Sequence, residues 1–173
     1  MIVTNRHTGA DFRLPHADQV QVDTFPAESP VVALYRYWQS IVPEPGALPG
    51  RQHLDPLDID TAAMPWMFFM DVLREADGTY DYLYRVVGTG NVALVGKDAT
   101  GKRANDAFGR VHSAFVLGTF DQTVESAVPT FWIGGAPHER FGDIILHRAL
   151  FPMAGDGRTV DMLLCIAVPW PVP

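Results

Sequence analysis

The stretch PGRQHLDPLDI (residues 49–59) places one cation and two carboxylates directly before a bulky apolar run. Arg51, Asp55 and Asp58 lie within about two helical turns of one another, if the stretch is helical. Such a group of charges can act in catalysis, bind a metal or tie two elements together. The spacing does not match the ligand pattern of a zinc site or of an EF-hand.

A second arginine, Arg85, lies in a segment with apolar neighbours, where a guanidinium needs a carboxylate or carbonyl partner. We expect a structural role, in which Asp55, Asp58 or Asp98 pairs with Arg85 and holds the 49–59 stretch across a sheet. The functional alternative is an arginine that clamps the carboxylate or phosphate of a ligand.

Two of the six histidines, His112 and His147, lie in segments with the pattern of a protein core. A core or rim histidine that makes a hydrogen bond is the common case. The alternative is a cofactor-free enzyme, in which a buried acid and one of these histidines transfer a proton on a hydrophobic substrate. Ser113 stands beside His112, but no nucleophile elbow surrounds it.

The single cysteine, Cys165, lies in the apolar strand-like segment MLLCIAV. It has no partner for an intramolecular disulfide or a CxxC pair, so a reducing, cytoplasmic compartment is expected. We interpret Cys165 as a small core residue.

The charge balance argues against nucleic-acid binding. The 173 residues carry a formal net charge of −7 with a pI of about 5.2, whereas binding to phosphate backbones depends on clustered lysine and arginine. No window reaches about 18 uninterrupted apolar residues, so no membrane segment is expected.

The chain divides into three parts. Residues 1–28 are polar and interrupted by prolines, which predicts an arm that is flexible unless it docks on another element. In residues 29–50, Ser29 and Pro30 have the pattern of an N-cap and first helical residue, an amphipathic helix follows to Val42, and a Pro-rich linker ends the part. Residues 51–173 form the main domain.

The main domain shows two strand patterns, a helical middle and three further strand patterns. This order predicts an α+β fold with a five-stranded antiparallel sheet and its helices on one face. Both phases of the last two strands are apolar, so the second face should also be covered. The helix over 29–42, its copy from another subunit, or both can provide that cover.

Several aromatic and charged residues would line a cavity between such layers, although aromatic residues are more often plain core. The predicted pocket consists of Phe69, Tyr84, Arg85, His112, Phe115, Trp132 and His147.

The order of elements resembles the PAS fold, and short motifs resemble a bacterial PAS-like family of small, mostly standalone proteins common in alphaproteobacteria. The match spans roughly residues 30–168. Met64 and Phe151 replace the usual leucine before a proline. The matching residues are Arg51, Leu54-Asp55-Pro56, Met64-Pro65, the segment 84–89, Gly96, Asp98, Thr100-Gly101 and the segment 150–164.

The resemblance implies a sensory or ligand-binding module without catalysis. A small apolar ligand or a protein partner would regulate it, and a homodimer would form through the 29–42 helix and the N-terminal arm. In PAS proteins that bind haem, an axial histidine commonly projects from the long helix, which would be His112, but haem is not expected. Flavin of the LOV type is not expected either, because Cys165 lacks the reactive asparagine-cysteine-arginine context.

Overall fold

The computed structural model describes the backbone of residues 2–4, 11–13, 16–107, 110–138 and 142–172, and the side chains of residues 17–107, 116–135 and 144–172. The described strands are β1 Ile2–Thr4, β2 Asp11–Arg13, β3 His16–Val20, β4 Met67–Arg74, β5 Tyr80–Val87, β6 Thr130–His138, β7 Gly142–Met153 and β8 Met162–Pro169. The described α-helices are α1 Pro30–Ser40, α2 Thr89–Val95, α3 Ala104–Ala107 and α4 Arg110–Ser126. Short 3₁₀ turns span Val22–Thr24, Arg51–His53, Pro56–Asp58 and Met64–Trp66.

The main sheet has six antiparallel strands in the order β3-β6-β7-β8-β4-β5. The last five are the five strands predicted from the sequence, and the α+β class is confirmed. The sixth strand, β3, comes from the arm 1–28 and pairs with β6, with Val20 opposite Phe131. Part of the arm therefore docks on the sheet of its own chain. Its sequence HADQV lacks the apolar alternation that would have predicted a strand.

One face of the sheet, here called the inner face, packs against α4. Cross-strand register places Phe68, Cys165, Leu150 and Thr130 side by side on this face. Phe120 of α4 packs edge-on against the ring of Tyr82, with 5.0 Å between ring centroids. This is the helical layer that the sequence predicted.

The opposite, outer face is covered by α1. The side chain of Ser29 accepts a hydrogen bond from the backbone N–H of Val31 at 3.3 Å, so the predicted N-cap is confirmed. Trp38 donates from Nε1 to the carbonyl oxygen of Pro152 at 3.1 Å, and Tyr35 packs on Phe151. The helix therefore covers its own sheet. Its apolar face can reach a second copy only by leaving that sheet.

Residues 51–66, here called the entry segment, continue the cover over β4 and β5. The Tyr37 hydroxyl of α1 joins this segment to the helix, because it donates to the carbonyl oxygen of Asp55 at 3.0 Å and accepts from the Asp55 N–H at 2.9 Å. One side chain thus satisfies both backbone groups of a residue in an irregular segment.

Gly88 is needed because the entry segment approaches the end of β5 closely. A Cβ at Gly88 would lie 2.6 Å from the carbonyl carbon of Pro65, a distance at which the backbone must move. The next glycine, Gly90, meets the ring of Trp66 at 2.8 Å in the same way. By contrast, a Cβ at Gly118 on α4 meets nothing within 4 Å.

We expect Gly88→Ala to lower the free energy of unfolding by about 1–3 kcal/mol, because the added methyl group displaces the backbone at Pro65. Gly118→Ala is the matched control, and it should raise stability by roughly 0.5–1 kcal/mol through helix propensity. Urea denaturation of both variants gives the comparison. Equal effects of the two substitutions would contradict the close approach.

We expect Tyr37→Phe to lower the free energy of unfolding by about 1–3 kcal/mol, because it leaves two backbone groups of Asp55 without their partner. Tyr35→Phe is the control, because it makes the same chemical change on the same helix at a hydroxyl that has no described hydrogen bond. Its free energy of unfolding should stay within about 0.5 kcal/mol of that of the parent chain. Guanidinium denaturation measures both. If Tyr35→Phe were the more damaging variant, Tyr37 would not be the link to the entry segment.

Candidate ligand-binding cleft

A cleft of about 440 Å³ opens between the entry segment and the outer face of the sheet. Its floor is formed by β4, β5 and β8, and its wall is formed by the three 3₁₀ turns of the entry segment. Most of its lining is apolar. The lining residues are Arg51, Leu54, Pro56, Ile59, Met64, Met67, Phe69, Arg85, Val86, Gly88 and Met162.

A β-bulge explains why two consecutive residues of β5 line this cleft. Phe69 pairs with Val86 and Met70 pairs with Tyr84, so Arg85 is the extra residue on β5. Because a bulge breaks the alternation of side chains, Arg85 and Val86 both reach the cleft beside Phe69. The regular alternation predicted from the sequence would have sent them to opposite faces.

Arg85 pairs with Asp71 on the neighbouring strand, not with Asp55, Asp58 or Asp98 as expected. The Nε atom of Arg85 lies 2.5 Å from Oδ2 of Asp71, and half of the arginine side chain is exposed. Alternation along β5 places Arg85 on the same face as Leu83, whose cross-strand partner is Asp71, so Arg85 and Asp71 meet diagonally across the two strands. A half-exposed pair of this kind contributes little to stability.

The other predicted charges have separate places. Arg51 lines the cleft. Asp55 caps a 3₁₀ turn, accepting from the N–H of Leu57 at 2.9 Å, and Asp58 ends that turn. Asp98 accepts from the N–H of Thr100 at 2.8 Å, and its hydrogen bonds with Thr100 lower its pKa. These aspartates therefore shape turns in the chain.

The predicted pocket residues fall into separate regions. Phe69 and Arg85 line the cleft. Tyr84 and Trp132 lie on the inner face, and His147 is buried on the outer face outside the cleft lining. The side chains of His112 and Phe115 lie outside the described residues. The sequence thus identified two cleft residues but not the entry-segment wall.

A polar cluster on the inner face was not predicted. Thr123 and Thr130 share a hydrogen bond of 2.6 Å between their hydroxyls, and Trp132 donates to Thr130 at 3.1 Å. Arg148 donates to the hydroxyl of Thr119 at 3.2 Å. Burial lowers the pKa of Arg148, but a guanidinium stays protonated in proteins. The cluster links α4 to β6 and β7.

The hydroxyl groups of two core tyrosines and the thiol of Cys165 stay protonated. Burial, and then the hydrogen bond to Asp121, raises the pKa of Tyr82. Burial also raises the pKa of Tyr84 and that of the Cys165 thiol. Cys165 is fully buried, as expected of a core residue. A thiol in this environment is a poor nucleophile.

His147 is packed between two aromatic rings. Its ring lies 5.0 Å from Phe25, edge to face, and 5.0 Å from Trp170, nearly parallel. Its Nδ1 atom is buried without a hydrogen-bond partner among the described residues, and burial lowers its pKa. The described residues give His147 no acid partner.

The described part of the chain contains no group of three or more histidine, cysteine, aspartate or glutamate residues arranged to hold a metal ion. Within the same residues, no helix combines the length and the apolar character needed to cross a membrane.

We expect His147 to make the stability of the fold dependent on pH. The folded state keeps His147 neutral, whereas the unfolded chain takes up a proton near pH 6.5. The stability that comes from a neutral His147 is fully present above about pH 6.5 and is lost as the pH falls toward the lower pKa of the folded state. The free energy of unfolding then changes by at most about 1.4 kcal/mol per pH unit.

Thermal unfolding should therefore show that His147→Phe loses less stability than the parent chain when the pH is lowered from 7.5 to 5. This variant keeps a ring in place but does not titrate. His147→Asn provides a second variant that does not titrate. Parallel pH profiles for the parent chain and both variants would show that His147 does not titrate on unfolding.

Comparison with known proteins gives a family for this chain. No functionally curated protein matches it. Among solved structures it is similar to a cysteine-to-valine variant of the fungal photoreceptor VVD, with 11% identity and a TM-score of 0.46, covering 78% of this chain and 91% of that one. It is also similar to a cysteine-to-serine mutant of Vivid, with 10% identity and a TM-score of 0.46, covering 78% and 97%. A family model described as PAS domain matches residues 27–167. The chain therefore belongs to the PAS domain family.

Proposed function

We propose that this PAS domain is a sensory module that binds a small molecule in the outer-face cleft and has no catalytic activity of its own. The observation that carries the proposal is the cleft itself. Its volume of about 440 Å³ lies in the range of small-ligand sites. Its lining is mainly apolar with two charged groups, which is the usual composition of such sites.

The position of the cleft supports a sensory role. One wall is the entry segment, and Tyr37 connects that wall to α1 through both backbone groups of Asp55. A ligand that packs against the wall would favour one arrangement of the entry segment and, through Tyr37, of α1. A ligand shifts a conformational equilibrium only if it interacts differently with the two states, and we propose that the wall is the part through which it does so.

The output step requires a second protein surface. We propose that the domain acts in the cytoplasm as a homodimer or through a protein partner. Because the apolar face of α1 covers its own sheet, a dimer would use another surface. Leu57 is 91% exposed at the entry segment and is one apolar side chain available for such a contact.

Native mass spectrometry of the freshly purified protein, with an absorbance spectrum of the same sample, tests both ligand binding and dimerisation. We expect a reproducible extra mass and a dimer. Val86→Trp places a bulky ring in the cleft and should remove the extra mass. Val128→Trp is the control, since Val128 is outside the cleft lining and is 53% exposed against 51% for Val86.

A parent protein without any extra mass, or an extra mass retained in Val86→Trp, would contradict ligand binding in the cleft. A monomer at high concentration would contradict the dimer and make protein-partner mapping the next step. A Soret band would instead indicate haem and direct attention to His112.

A further inference from the structure

The charges that line the cleft have one sign. Two of its lining residues, Arg51 and Arg85, are cations, and no lining residue is a carboxylate. This is notable in a chain with a formal net charge of −7. The cleft is thus a local cationic site on an acidic protein, which favours an anionic group on whatever it binds.

Arg51 is held in position by its backbone while its guanidinium is available. The N–H of Gly50 donates to Nδ1 of His53 at 2.9 Å, and the Pro49 carbonyl accepts from the N–H of Ala154 at 2.9 Å. In the part of the chain that the structure describes, the Arg51 guanidinium makes no ion pair or hydrogen bond. An arginine on an anchored turn retains its full set of donors for a ligand.

Arg85 is oriented by its pair with Asp71. That contact uses the Nε atom, at 2.5 Å, and the described residues engage neither of its terminal nitrogens. The guanidinium is therefore positioned on one side and open on the other. Because Asp71 offsets one positive charge, the lining and its partner together carry a net charge of about one unit, which matches a single carboxylate better than a phosphate monoester.

The rest of the lining suits an apolar chain. Three methionines, Met64, Met67 and Met162, face the cleft together with Phe69 and Ile59. Methionine side chains are unbranched and adapt to ligands of irregular shape. The cleft thus combines an adaptable apolar lining with two cationic side chains.

We propose that the ligand of this cleft is an amphipathic monocarboxylate, with an apolar chain against the methionine-rich lining and a carboxylate held by Arg51 and Arg85. This inference rests on the proposed function and specifies its ligand class. The ligand would bind on the outer face, whereas the polar cluster around Arg148 lies on the inner face.

Isothermal titration calorimetry with three probes below their micelle concentrations tests the inference: decanoate, 1-decanol and decyl phosphate. We expect decanoate to bind most tightly and decanol at least 10-fold more weakly, since the decanol hydroxyl carries no negative charge and cannot form the bidentate pair that a carboxylate forms with arginine. Arg51→Gln and Arg85→Gln should each weaken decanoate binding about 10-fold or more and leave decanol binding unchanged. Arg36→Gln, an exposed arginine of α1 outside the lining, should change neither.

The outcomes separate this inference from the proposed function. Equal binding of decanoate and decanol would overturn the carboxylate assignment and leave the cleft as a site for apolar ligands. Decanoate binding that survives both arginine substitutions would place the carboxylate elsewhere. Tighter binding of decyl phosphate, or no binding of decanoate, would also overturn the ligand class, whereas the extra mass and its loss in Val86→Trp test ligand binding independently. Circular dichroism of each variant confirms that it is folded.

Discussion

Both faces of the main sheet are apolar, and the rest of the structure depends on covering both. On β7 and β8, Leu150 and Cys165 lie on the inner face and Phe151 and Leu164 on the outer face, and all four are fully buried. An antiparallel sheet with one wet face would expose one of these pairs. The chain therefore supplies two layers, α4 on one side and α1 with the entry segment on the other.

The cleft forms where the outer layer changes from a helix to irregular turns. A continuous helix such as α1 packs closely along β7 and β8. The entry segment instead consists of three short turns with two prolines, Pro56 and Pro65, and it leaves a space over β4 and β5. The close approach at Gly88 fixes one end of the wall, and Tyr37 fixes its middle. The space is thus bounded by backbone contacts that do not themselves fill it.

The two faces use polar groups differently. On the inner face, the hydroxyls of Thr123 and Thr130 bond to each other, and Tyr82 donates to Asp121 at 2.5 Å, so these groups satisfy one another within the fold. In the cleft, Arg51 has no described partner and Arg85 is engaged only at Nε. Satisfied networks stabilise a single arrangement, whereas open donors next to apolar surface are suited to binding a ligand.

The sequence by itself determined the features that depend on local pattern. These are the helix start at Ser29 and Pro30, the order of the five predicted strands, and the two apolar faces that require two covers. Such features follow from capping preferences and side-chain periodicity, which act over a few residues. The family motifs added the PAS fold, which the match over residues 27–167 confirms.

Only the tertiary structure decided the features that depend on pairing between distant segments. The bulge opposite Phe69 turned Val86 toward the cleft beside Arg85, which pairs with Asp71, and strand β3 was recruited from a polar arm by β6. Strand register and edge pairing are set by contacts across the sheet, and a shift of one residue reverses the face of every following side chain. Local sequence carries no record of that shift, and so the cleft could be recognised only in the folded chain.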